Sequence, residues 1–339
     1  MSRAIWLLLD SRDLGGIETH VLLLAKGLTQ AGREALILFW ADHGCHPLAP
    51  EIDAAGLARR TLGGRFRDLT AALQRERPAL LHTHGYKAGI LGRAAARLCR
   101  VPVVSTFHSG EPGTGRLRLY FQLDRLTSRL GGRIAVSAAI AVSLPAPVTI
   151  LPSFVELPRD SVLEFGARDT IGFVGRLSPE KGPDLFAALA ERLPDLAFAF
   201  YGDGPDRAAL EARWGARIRF HGRVVPMAPH WSSLALLAMP SRHEGLPLAA
   251  LEAMANGVPV AGFAVGGLPD LIEPGIDGLL APSGDLEALA ALIRDWSGWP
   301  LERRLAMGRA ARSKIESRYS LAAGIAALLP VYRGAGAVI

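Results

Sequence analysis

Cysteine is scarce: the 339 residues hold two, Cys45 and Cys99. Neither sits in a CxxC pair or a Cys/His spacing that suits zinc, and two thiols cannot build a disulfide framework. A reducing, cytoplasmic setting is therefore expected. Long apolar runs are also few. The opening run, Ala4 to Leu9, ends after six residues at Asp10, too short for a signal peptide. Ile134 to Val155 is 22 residues without a charge, long enough in principle to cross a bilayer. Pro145, Pro147 and Pro152 would break a helix there, so two short buried strands joined by a Pro-rich turn are expected instead. Lysine is rare as well, 4 of 38 basic residues. That bias fits a GC-rich genome as well as anion recognition. Finally, Gly15-Gly16 near the N-terminus lacks the GxGxxG of a dinucleotide fold.

What is present suits a folded chain. Half the residues are hydrophobic and 21% are charged, far from a disordered composition and enough for two domains. The net charge is +6, and its excess lies in the first half: residues 1–165 hold 20 Lys+Arg against 14 Asp+Glu, residues 166–339 hold 18 of each. Such an excess raises nucleic acid or an anionic membrane as a partner.

The hydrophobic pattern alternates. Ala4 to Leu9 reads as a strand buried on both faces, and Glu18 to Gln30 as a helix stopped by Gly32. Strands at Ala35–Trp40, Ala79–His82, Val101–Thr106, Ile134–Val136 and Val148–Leu151 are separated by helices near Phe66–Glu76 and Ala88–Leu98. The alternation restarts at Thr170–Val174 and continues through Ala197–Tyr201, Ile218–His221, Leu234–Met239 and Val258–Ala261. Such alternation implies right-handed βαβ crossovers and parallel sheets. The expected fold is α/β with two doubly wound, Rossmann-like domains facing a central cleft. They would span residues 1–164 and 165–318, with 319–339 packing back across the junction.

Two motifs carry chemistry. Gly175-Arg-Leu-Ser-Pro-Glu-Lys-Gly182 follows a strand and precedes a helix near Pro183. Arg176 by forked hydrogen bonds and Lys181 as a compact charge could clamp a diphosphate; a plain solvated loop is the alternative. In His243-Glu-Gly-Leu-Pro-Leu-Ala-Ala-Leu-Glu-Ala-Met-Ala-Asn-Gly257, Pro247 marks a helix start and Gly257 its stop. The amides there favour a phosphate, and Glu252 lies roughly 7 Å along the axis, about the distance from a diphosphate to its ribose. Glu244, in the loop, would reach the group on the other side.

Those two motifs, with Tyr201-Gly-Asp-Gly-Pro205 between them, resemble family 4 of the retaining, nucleotide-sugar-dependent glycosyltransferases with the GT-B fold. Gly15-Gly-Ile-Glu18, His82-Thr-His84, Thr106-Phe-His108, Ala135-Val-Ser137, Val265-Gly-Gly-Leu-Pro-Asp-Leu-Ile272 and Gly275-Ile-Asp-Gly-Leu279 fall in the order that family shows. The resemblance implies that Arg176 and Lys181 bind the donor diphosphate, joined by the Gly15-Gly16 amides and by the backbone of Gly245, Leu246, Pro247 and Leu248. It implies that Glu244 holds the transferred sugar, Glu252 the ribose, and the loop at Arg223 and Val224 the base. His108 would serve the sugar and the reaction centre, so that His108, Glu244, Arg176 and Lys181 form the catalytic group. His82 and His84 would support the cleft or meet the acceptor. Pro152-Ser-Phe154 stands where many members carry Asn-Gly.

The implied activity is retaining transfer of a hexose-type sugar from a UDP- or GDP-linked donor to a glycan or lipid-linked acceptor in bacterial envelope or polysaccharide synthesis. No cofactor or metal is required. Asp203 and Asp206 read as a turn rather than a metal pair. The rivals are a GT-B-type epimerase and a non-catalytic sugar-nucleotide-binding subunit. Arg116, Arg118, Arg125, Arg129 and Arg133, interleaved with apolar residues, suggest a basic amphipathic helix. Its expected roles are acceptor contact and peripheral attachment to anionic lipid, against ordinary packing into its domain. With that local use of charge, nucleic acid is not an expected partner.

Overall fold

The computed structural model describes residues 4–13, 15–44, 46–108, 115–158 and 169–339. The chain forms two compact units, Met1–Phe154 with Leu321–Ile339, and Val155–Ser320. The first unit is thus closed by the end of the chain, and the expected boundary at 164/165 lies outside the described residues. Cys45 also lies outside them; Cys99 is a buried free thiol.

The first unit's sheet contains β1 (Ile5–Leu9), β2 (Ala35–Phe39), β3 (Ala58–Thr61), β4 (Leu80–His84), β5 (Val103–Phe107), β6 (Gly132–Ala135) and β7 (Thr149–Ile150). Its order is β3-β2-β1-β4-β5-β6-β7, parallel throughout. The second unit holds β8 (Thr170–Val174), β9 (Ala197–Tyr201), β10 (Arg219–Phe220), β11 (Leu234–Met239), β12 (Val260–Phe263) and β13 (Gly278–Ala281). They run β10-β9-β8-β11-β12-β13, again parallel. Both sheets reverse their winding direction beside their first strand. In such sheets ligands bind beyond the carboxyl ends of the strands at that reversal.

Strand periodicity sorts the first core. Ile5, Leu7 and Leu9 face Val21, Leu24 and Leu28 of the helix Gly16–Gln30, with Leu321, Ile325 and Leu328 of the terminal helix Leu321–Gly334. Trp6 and Leu8 face the opposite layer, with Leu69, Leu73 and Ala95. A residue buried on each face in turn explains an uninterrupted apolar run. Gly27 lets the first and terminal helices close: a Cβ there would stand 2.6 Å from Ile325 Cγ1.

Some elements differ from expectation. The edge strand β3, Ala-Arg-Arg-Thr, is largely exposed and has no apolar alternation to reveal it. The uncharged stretch forms β6, a short helix Ala138–Ala141 and the exposed two-residue β7, not two buried strands. Among the described residues no helix is long and apolar enough to cross a membrane. β4 continues to His84, so His82 is not at a strand end. The helix Arg116–Thr127 leaves Leu117, Leu119, Tyr120, Leu123 and Leu126 between 37% and 71% exposed. These side chains are not buried in the unit.

Candidate active site

In the second unit, β8 runs into the loop 175–182, which is braced from below. Leu177 N–H donates to Asp203 O and Asp206 N–H to Leu177 O. A Cβ on Gly204 would stand 2.3 Å from Leu177 O, so only glycine lets the two turns touch. Asp203 accepts from its neighbour's amide, Gly204 N–H, and pairs with Arg207. It belongs to a turn.

Lys181 ends the 3-10 turn Pro179–Lys181, followed by Gly182 at φ 67°. A Cβ on Gly182 would meet Pro240 O at 2.2 Å, so the loop can lie against the end of β11. That approach joins the two sequence motifs. Lys181 Nζ donates to Glu244 Oε2 at 2.7 Å, and Ser241 Oγ donates to Glu244 Oε1 at 2.8 Å. Arg242 and His243 N–H both donate to Glu180 O. The Glu244 side chain is 2% exposed and that of Lys181 32%, so the cation is the accessible partner. Ser241 was not singled out from sequence, where it marks only a strand end.

Pro247 caps the helix Leu248–Ala255. The first amides of a helix have no partner four residues back, so Leu248 and Ala249 present free donors. Gly267 N–H bonds to Gly245 O at 2.5 Å, fixing Gly245 and Leu246 behind them. Glu252, one turn along, is partly buried, and burial pushes its carboxyl up to about 7. Arg176 is exposed; its backbone carbonyl accepts from Ser178 N–H, and its guanidinium makes no hydrogen bond or ion pair among the described residues. Val224 is half-buried in the loop after β10. Nearby, His221 stacks on Tyr201 at 4.4 Å, a flat surface not anticipated from sequence.

Glu252 predicts a pH dependence. With the ribose expected at Glu252, an ionised carboxylate is the better acceptor for its hydroxyls, so affinity for a sugar nucleotide should fall up to about tenfold from pH 8 to pH 6. Calorimetry should show this for the native protein and a flat profile for Glu252→Gln. The raised value also means that the folded state holds this proton more tightly than the unfolded one. The resulting stabilisation is complete below pH 4.5 and is lost as pH rises through 7. Glu252→Gln should therefore raise the melting temperature of the free protein at pH 8 and not at pH 4.

In the first unit, Gly15 is extended and Gly16 opens the helix Gly16–Gln30. Both are exposed, and a Cβ on Gly16 would meet nothing within 4 Å. Beneath that helix the sheet carries histidines. His82 and His84 alternate along β4, and His108 follows β5, whose Thr106 pairs with His84. His82 bonds Tyr332 Oη at 2.7 Å and Thr106 Oγ1 at 2.8 Å. With both ring nitrogens used and 1% exposure, His82 is held within the fold; of the two roles expected of it, support of the cleft and contact with an acceptor, this geometry suits the first. His84 Nδ1 lies 3.1 Å from His108 Nε2.

His20 comes down from the helix, its ring 4.8 Å from that of His108. It is a polar residue in the stripe His20, Leu24, Leu28, the signal that could have found it. Burial lowers His20 to about 4 and holds His82, His84 and His108 well below the usual imidazole value. All four are neutral at pH 7. Phe154, in the departure from Asn-Gly, is buried 5.2 Å from the His20 ring. Arg93 forms a fully buried pair with Asp124 at 2.6 Å and bonds Ser105 on β5. Arg118 is exposed on the helix Arg116–Thr127, and the Arg116 side chain lies outside the described residues.

Two units with the 3-2-1-4-5-6 winding, with these loops at the strand ends, are the architecture found in the GT-B class of glycosyltransferases. Residues 14–155 match the family described as Glycosyltransferase Family 4, and residues 168–297 that described as Glycosyl transferases group 1. The chain is 32% identical to the 2-deoxystreptamine N-acetyl-D-glucosaminyltransferase of Streptomyces fradiae, over 83% of this chain and 82% of that one. It is 28% identical to a D-inositol 3-phosphate glycosyltransferase of Mycolicibacterium paratuberculosis, over 88% and 81%. The structure of Anabaena HepE in complex with UDP superposes with a TM-score of 0.82 at 20% identity, covering 97% of this chain and all of that one. The chain belongs to the family 4 glycosyltransferases.

Proposed function

We propose that this glycosyltransferase moves a hexose-type sugar from a nucleotide diphosphate sugar to an acceptor hydroxyl, with retention and without a metal. The observation that carries the reading is the Lys181–Glu244 bond beside the start of the helix Leu248–Ala255. A cation and free amides there suit a departing diphosphate, and pre-aimed charge of this kind stabilises the transition state. In this reading Arg176 adds the second cation, Glu252 takes the ribose, and His108 serves the transferred sugar. Solved structures of Anabaena HepE with UDP and with UDP-glucose support a uridine donor.

The bond from the anomeric carbon to the phosphate oxygen breaks, and the acceptor oxygen bonds to that carbon on the same face. The hydroxyl proton passes to the leaving phosphate. Glu244 is a positioning group in this scheme. Both of its oxygens are engaged and it is almost wholly covered, which does not suit a covalent nucleophile.

Two acceptor readings have support. The named relatives act on 2-deoxystreptamine and on D-inositol 3-phosphate, favouring a small cyclitol. The exposed leucines beside Arg118 favour instead a lipid-linked acceptor of envelope synthesis, reached by peripheral attachment to the inner face of an anionic membrane. One assay separates them: UDP- and GDP-sugars are offered with free cyclitols or with lipid extract in anionic vesicles, and nucleotide diphosphate release is followed. Release that depends on one acceptor class is expected, undiminished by chelator. Chelator-abolished turnover would refute the metal-independent scheme. Isomerisation of donor without acceptor would point to an epimerase, and no turnover of any donor to a binding subunit.

A further inference from the structure

The histidines beneath the first helix carry more than the transferase reading uses. One ring nitrogen from each of His20, His84 and His108 lies within 4.8 Å of those of the other two. His20 is 4% and His84 1% exposed. Among the described residues, His20 Nδ1 and His84 Nε2 are nevertheless buried without a hydrogen-bond partner. A buried polar atom left in that state costs roughly 1–3 kcal/mol, and both belong to rings of this cluster.

We propose that His20, His84 and His108 form a three-imidazole site for a late first-row transition-metal ion of the Zn2+ type, with the fourth coordination position open. The donor set decides the class of ion. Three imidazoles without a carboxylate suit zinc, nickel or copper and not magnesium, calcium or manganese. The rings are held neutral by burial, the form that binds a metal.

Tetrahedral bonds of about 2.0–2.1 Å put ligand nitrogens roughly 3.3–3.4 Å apart. His84 Nδ1 and His108 Nε2 stand 3.1 Å apart as a hydrogen-bonded pair, so an ion held by these two atoms would replace that bond, and His84 Nε2, on the far side of the same ring, would stay outside the site. The widest separation of 4.8 Å closes by a ring swing of about 1.5 Å to reach that geometry. His82 is the wall and not a ligand, because Tyr332 and Thr106 hold both its nitrogens. A cavity of about 80 Å³, lined in part by Ile17, Tyr86 and His108, adjoins the half-buried third ligand and leaves room for a water at the open position.

The consequence is inhibition. An ion on His108 removes that residue from the transferred sugar, so Zn2+ suppresses a transfer that needs no metal. This step rests on the transferase role proposed above; the site itself does not.

The test separates them. Tag-free, metal-stripped full-length protein is titrated with Co2+ in the visible range and with Zn2+ by calorimetry, with neither donor nor acceptor present. One equivalent with the strong bands of tetrahedral Co2+ is expected. Affinity should fall at least ~10–100-fold in His84→Ala and His20→Ala and stay unchanged in the exposed His43→Ala. His108→Ala, at a half-buried position, gives the same reading without opening the core, and circular dichroism accompanies every variant. Absence of stoichiometric binding, or binding undisturbed in folded His108→Ala, overturns the site. Zn2+ binding that leaves glycosyl transfer unaffected supports the site and overturns the role given to His108.

Discussion

Lys181→Ala is expected to lower turnover at least ~100-fold, the scale of losing one pre-aimed electrostatic contact, with the fold intact by circular dichroism. Two effects combine. The departing diphosphate loses a cation, and Glu244, 2% exposed, keeps only the Ser241 hydroxyl as a side-chain partner among the described residues. Glu244→Gln should cost a similar factor by removing the charge while keeping the shape. Because Lys181 and Glu244 touch at 2.7 Å, the double variant should lose less than the product of the single losses, with a coupling of about 0.5–3 kcal/mol. Lys181→Arg should not rescue, since a planar fork cannot occupy the place of a compact ammonium. Rates near the native value in either single variant would remove the assigned role.

What the sequence could reveal follows from the range of each interaction. The apolar run Ala4 to Leu9 declared a doubly covered strand because its burial is a local pattern. The Gly175–Gly182 loop and the Glu244/Glu252 pair were legible because backbone turns and helix starts need particular residues at particular offsets. β3 was not legible, since an exposed edge strand of Ala-Arg-Arg-Thr has no apolar face to display. The burial of His82 depends on Tyr332, 250 residues away, and no local spacing encodes that contact. His20, His84 and His108 likewise come from three elements that only the strand order brings together. The helix Arg116–Thr127 shows the reverse case: its interleaved Arg and Leu were plain, but composition alone could not decide whether the leucines pack or remain exposed.

Asp124→Ala should destabilise the first unit by about 3–5 kcal/mol, because it leaves a buried guanidinium without its counter-charge. Arg93 is fully buried, donating to Asp124 Oδ1 at 2.6 Å, to Thr127 Oγ1 at 2.7 Å and to Ser105 Oγ at 2.9 Å. It thus ties the helices Tyr86–Cys99 and Arg116–Thr127 to β5. For a unit of this size the loss amounts to roughly 6–20 °C in melting temperature. Removing both charges with Arg93→Leu and Asp124→Leu should cost less than Asp124→Ala alone, since the expense lies in the unpaired ion and not in the absence of a pair. A double variant as unstable as the single one would show that the pair is itself required for folding. His108 follows β5 directly, so Asp124→Ala should also slow transfer at temperatures where the protein remains folded, and the double variant should recover part of that rate.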